Sequence, residues 1–110
     1  MSGLVDQSAD ARSKTIGGNF RVRAFADIAL DGSYNRGQGF SATSKPGTGS
    51  YKLDFTVPAS TTDYIVVGSA NAAGGYNVSV HDKQSSYFKI SVTYEHQGPY
   101  NSAFHVIVMY

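Results

Sequence analysis

Between Tyr51 and Val57 every second residue is large and apolar: Tyr51, Leu53, Phe55 and Val57 alternate with Lys52, Asp54 and Thr56. A period of two is that of a strand with one face buried, because successive side chains leave a strand on opposite sides. The pattern recurs along the chain. Phe20, Val22, Ala24, Ala26 and Ile28 alternate with Arg21, Arg23, Phe25 and Asp27, and Tyr76, Val78 and Val80 alternate with Asn77, Ser79 and His81. Phe88, Ile90, Val92 and Tyr94 form a further series, and Phe104, Val106, Val108 and Tyr110 another, with Ile107 and Met109 on its opposite face. Asp63–Ala70 is apolar on both faces, which predicts a central strand, and Phe40–Ser44 predicts a short strand ended by Lys45-Pro46-Gly47.

No segment carries a helical period. About seven strands separated by Gly-, Asn- and Pro-rich turns predict an all-β chain, an antiparallel β-sandwich. The 110 residues suffice for one core. Its expected members are Phe20, Val22, Tyr51, Leu53, Phe55, Val66, Val78, Ile90, Val92, Val106 and Val108. Asp31–Gly39 reads as a loop from its Gly and Asn content, Asn71–Gly75 and His96–Asn101 read as turns, and Pro58 is expected to end the strand that begins at Tyr51.

Residues 1–18 differ from the remainder. Leu4, Val5 and Ile16 are their large apolar residues, set among Ser, Asp, Gln, Arg and Gly, and the segment ends in Gly17-Gly18. It is expected to be an N-terminal arm, disordered alone or ordered by a partner, preceding a domain over 19–110. The first residues have no cationic stretch followed by an apolar one, so no signal peptide is expected.

Composition excludes several chemistries. There is no Cys, so disulfides, thiol catalysis and Cys-ligated metal sites are out. Nine Lys and Arg against eight Asp and Glu give a net charge of +1, too balanced for a dedicated nucleic-acid surface. No window is apolar enough for a membrane-spanning helix. His81, His96 and His105 lie too far apart in sequence for a ligand pair, no Gly-x-Ser-x-Gly elbow is present, and Gly32–Gly39 lacks the Gly-Lys-Ser/Thr ending of a phosphate loop. An enzyme, a metal site and a cofactor are therefore not expected. Tyr34, Tyr76, Tyr87 and Tyr100 fall in or beside expected turns, where an exposed ring stacks on a sugar, fills a protein interface or caps the sandwich.

Gly47-Thr-Gly-Ser-Tyr-Lys-Leu-Asp-Phe-Thr, followed after a proline by Asp63-Tyr-Ile-Val-Val-Gly-Ser-Ala, resembles a β-domain module of bacteriophage virion proteins. The module occurs in tail fibres and in small capsid decoration (cement) proteins. Asp10–Gly17 and Phe25–Gly32 share the likeness, which covers most of residues 10–70. The resemblance implies a virion structural protein on the capsid surface, made in the host cytoplasm. Its partners would be the major capsid protein and itself, as a homotrimer. A fibre tip that binds host glycan is the alternative. On the cement reading, Leu4, Arg12, Lys14, Ile16, Arg21 and Arg23 are the expected capsid contacts, and Phe25, Ile107 and Met109 the expected subunit interface. Tyr34, Tyr76, Tyr87 and Tyr100 are the residues for a glycan or other partner.

Overall fold

The computed structural model describes residues 21–110. They form eight strands: β1 (Val22–Ile28), β2 (Tyr34–Gln38), β3 (Phe40–Gly47), β4 (Ser50–Phe55), β5 (Ile65–Ala70), β6 (Tyr76–His81), β7 (Tyr87–Tyr94) and β8 (Phe104–Met109). Two four-stranded antiparallel sheets, β2-β1-β8-β5 and β3-β4-β7-β6, pack face to face as a β-sandwich. Among the described residues no helix is present, so none is long and apolar enough to cross a membrane.

The alternation dictates the core. Ala24, Ala26, Ile28, Phe104, Val106 and Val108 point inward from the first sheet. Tyr51, Leu53, Phe55, Phe88, Ile90 and Val92 do so from the second. Val66 and Val78, expected inside, are partly buried and pack against this cluster. Aromatic rings fill the middle: Phe40 stacks on Phe55 at 5.5 Å, and Tyr51 meets Phe104 edge-on at 4.8 Å across the two sheets. Two buried tyrosines close the ends. The Tyr51 hydroxyl donates to Leu30 O at 2.8 Å and accepts from Ser102 N–H at 3.2 Å. The Tyr64 hydroxyl lies 2.7 Å from Gln84 O and 2.9 Å from Tyr87 O. Both phenols thus keep hydrogen bonds where water is excluded, as buried polar groups must.

Several expectations are corrected. Val22 is 58% exposed, not a core residue. The register slips between Val22 and Ala24, so that Val22 pairs with Met109 and Ala24 with Val108. This bulge puts two residues of β1 opposite one of β8 and turns Val22 outward. Asp31–Gly39 is not one loop, because Tyr34–Gln38 forms β2. Tyr34, Asn35 and Arg36 are all exposed, and a strand with no buried face has no hydrophobic period to read. Gly37 lets β2 lie against β1, since a Cβ there would stand 2.1 Å from Phe25 O. Gly39 (φ +93°) is the one-residue corner between β2 in the first sheet and β3 in the second.

β3 runs on through Pro46 to Gly47, which is possible because it is an edge strand that needs no ladder donor on its outer side. β4 ends at Phe55, and Val57 is exposed. β5 is an edge strand, not a central one. Its outward residues are apolar for a reason other than burial inside this domain. Phe20 lies outside the described residues.

Two outcomes follow from this core. Phe55→Ala should lower stability by ~3–5 kcal/mol, read from urea unfolding, because the ring touches Phe40, Tyr64 and Phe88. Burial pushes the Tyr64 phenol up to about 12. The folded state then holds this proton more tightly than the unfolded chain, whose tyrosines titrate near ~10. The corresponding stability is fully present below pH ~10 and is lost as pH rises from there toward 12. Urea midpoints should therefore fall across that window, and Tyr64→Phe should flatten the fall.

Candidate interaction surface

The outward faces of the two sheets differ in chemistry. On the second sheet, Ser50, Ser91 and Ser79 stand in one register row, and Ser44, Lys52, Lys89 and His81 in the next. Lys52 Nζ sits 4.4 Å over the Tyr87 ring, and Lys89 pairs with Asp82 at 3.3 Å. Hydrogen bonds from Gln84 and Lys89 hold the Asp82 carboxyl below its ordinary value. Ser91 Oγ and His81 Nε2 are 2.8 Å apart on this open face. The surface is hydroxylic, weakly cationic and solvated.

The first sheet is the opposite. Phe25, Ile107 and Val67 align across β1, β8 and β5, and Val22, Met109 and Ile65 align in the adjoining row. Val22 is 58% exposed, Val67 53%, Ile65 45%, Phe25 44% and Ile107 43%; Met109 is half-buried. Together these side chains expose on the order of 400 Å² of apolar surface, a patch size that on monomers is often functional. The β1 bulge builds it, because a regular β1 would turn Val22 inward and leave the second row one residue short.

A polar row borders the patch. Asp27 pairs in register with Arg36 of β2 on one side and His105 of β8 on the other, with Ser69 of β5 beyond. Arg36 Nε lies 3.5 Å from Asp27 Oδ2. At the opposite margin Arg23 Nε donates to Tyr110 O at 2.6 Å, and its guanidinium stacks on the Tyr110 ring at 4.7 Å. Arg23 thereby fastens the last residue to β1, while the Arg21 backbone pairs with Tyr110 at 3.2 Å in both directions.

The sequence-predicted residues divide accordingly. Phe25, Ile107 and Met109 come together on this face. Val22, Ile65 and Val67 join them: the alternation alone puts Val22 in the core, and the register of β5 against β8 cannot be read from β5 itself. Tyr76 and Tyr100 meet at one end of the sandwich through Tyr94, with rings 4.7 Å and 5.4 Å from it. In the sequence Tyr94 is legible only as a member of the alternating series of β7. Tyr34 opens β2 and Tyr87 lies under Lys52, both apart from that cluster. Leu4, Arg12, Lys14 and Ile16 lie outside the described residues. Among the described residues no group of three or more His, Cys, Asp or Glu side chains is placed to hold a metal ion.

Comparison of the chain with protein-family models, with curated proteins and with solved structures gives no match.

Because the apolar rows lie outside the core, they should matter little to folding. Ile107→Thr keeps a β-branched side chain on an exposed position and, at protein concentrations low enough for monomers, should shift the urea-unfolding free energy by at most ~1 kcal/mol, the scale of one cross-strand pair. A loss as large as that of Phe55→Ala would mean that the face is needed by the monomer itself.

Proposed function

We propose that the protein is a structural protein of a bacteriophage virion, a capsid decoration (cement) protein that associates with further copies of itself through the outer face of its first sheet. The observation that carries the reading is the pair of in-register apolar rows, Phe25-Ile107-Val67 and Val22-Met109-Ile65, on one sheet only. Water pays no such surface back, and covering it is favourable by roughly 25 cal/mol per Å² of apolar area removed from solvent. A standard interface buries about 800 Å² on each partner, so the apolar rows would form its centre and the polar row with Asp27, Arg36 and His105 part of its rim. The likeness of Gly47–Thr56 and Asp63–Ala70 to a virion module supports the virion setting and a trimer.

A second reading rests on the Tyr76, Tyr94 and Tyr100 cluster. Tyr100 is 45% exposed at the end of the sandwich, and such rings stack on saccharides. On that reading the chain is a fibre tip that binds host glycan.

Copy number separates the two: a decoration protein is present in hundreds of copies per particle and a fibre tip in a few dozen, as read from stained gels of purified virions. Self-association is tested by sedimentation equilibrium at tens of micromolar. The wild-type chain should be oligomeric, and Phe25→Asp and Ile107→Asp should each release monomers that retain the β spectrum. An oligomer unchanged by both substitutions would remove the face from the reading.

A further inference from the structure

Asp27 is left one hydrogen bond short. Its Oδ2 is engaged by Arg36, but its Oδ1 is shielded from solvent and accepts no hydrogen bond among the described residues. A shielded carboxylate oxygen without a donor is costly, and native proteins rarely leave one so. Over it lies a depression of about 580 Å³ lined by Phe25, Asp27, Arg36, Asn71, His105 and Ile107. One end of this depression is apolar and the other carries the Asp27 carboxylate, whose side chain is partly exposed. The Arg36 side chain is 85% exposed and its Nε lies 3.5 Å from the carboxylate, so its charge is largely screened by water. The depression thus fits a chain segment that offers an apolar side chain and, two residues away, a cationic donor.

We propose that residues 12–16 of a neighbouring copy fill it, with Lys14 paired with the Asp27 carboxylate and Ile16 seated against Phe25 and Ile107. Three arguments select this occupant. Its chemistry matches, because Arg12-Ser-Lys-Thr-Ile places a base and a branched apolar residue at i and i+2. That spacing, ~6.7 Å in a strand, is also the separation of Asp27 and Phe25 along β1.

The second argument is place. The twenty residues outside the description join the domain at Arg21, next to Val22 in the apolar patch. The third is reach, and it decides between copies. A segment packed on a sheet face stands ~10 Å above it, and Phe25 lies four residues along β1 from Arg21. A segment folding back on its own domain must therefore span ~16 Å between positions 16 and 21. Five residues extend at most ~17 Å, leaving no slack for the reversal. A segment crossing to a neighbour's facing sheet, ~10 Å away, needs no reversal, and the same five residues span that gap.

This inference rests on self-association through the same face, and the experiment keeps the two apart. Sedimentation velocity is run on the full chain, on a chain lacking residues 1–18, and on Lys14→Glu, Asp27→Asn, Phe25→Asp and the exchanged pair Lys14→Asp with Asp27→Lys. Truncation, Lys14→Glu and Asp27→Asn should each weaken association by about tenfold or more, as loss of a shielded charge pair does, and the exchanged pair should recover part of it. Independently, a synthetic peptide of residues 8–18 is titrated onto the truncated chain and followed by NMR. It should shift the amides of Phe25, Asp27, His105 and Ile107, and a scrambled peptide should not. Dissociation by Phe25→Asp with no effect of truncation would overturn the arm assignment and leave the face as the interface. No effect of Phe25→Asp would overturn the face itself. A truncated chain that associates like the full one and ignores the peptide refutes the inference, as does a peptide that binds to a full chain found to be monomeric.

Discussion

β8 is hydrogen-bonded on both sides, to β1 and to β5, over its whole length. Each of its residues is therefore fixed to one face. Phe104, Val106 and Val108 must enter the core, and His105, Ile107 and Met109 must leave it. The partners on either side inherit that choice through the register. Ala24 and Ala26 are small where they oppose Val108 and Val106, and the bulky neighbours Phe25 and Val67 fall in line with Ile107 on the outside. One doubly paired strand thus sets both what the domain hides and what it presents, and an apolar outer face is its result rather than an accident of individual residues.

Without cysteines the sandwich is held by packing, and the aromatic residues carry much of it. Phe40, Phe55, Tyr64 and Phe88 form a contiguous group with ring centroids 5.3–6.1 Å apart. The two buried tyrosines add direction to this packing. Tyr51 reaches from β4 to the turn after β1 and to the segment before β8, while Tyr64, just before β5, reaches the connection from β6 to β7. Each therefore joins the second sheet or its connections to elements of the first by a hydrogen bond as well as by its ring, which restricts sliding of one sheet over the other.

Much of this fold is legible in the sequence because burial and periodicity coincide. β4, β7 and β8 have one dry face and alternate cleanly, and their inward residues can be named from the pattern. The pattern fails where that coincidence ends. β2 buries neither face, so its Tyr-Asn-Arg-Gly-Gln looks like a loop; only the sharp backbone at Gly37 and Gly39 marks it as a strand pressed against β1 and turning a corner. β5 is apolar on both faces, which suggests a centre but here belongs to an edge with its outer side uncovered. At Val22 a single inserted residue reverses the side, and nothing in Phe-Arg-Val-Arg-Ala announces a bulge. The apolar outer face is half legible for the same reason: Phe25, Ile107 and Met109 follow from alternation within their own strands, while Ile65, Val67 and Val22 depend on which strand lies beside which.

The pairing of Arg21 with Tyr110 brings the two ends of the described domain together at one end of the central strands β1 and β8, tied by two backbone hydrogen bonds and by the Arg23 side chain. This has a mechanical meaning. β1 and β8 are antiparallel neighbours, so tension applied between the two ends would open their ladder one rung at a time, like a zip, and would meet little resistance at any moment. A load spread across the outer face of the sheet runs instead against whole strands at once. By this topology the domain should yield more easily when pulled by its ends than when sheared through its face.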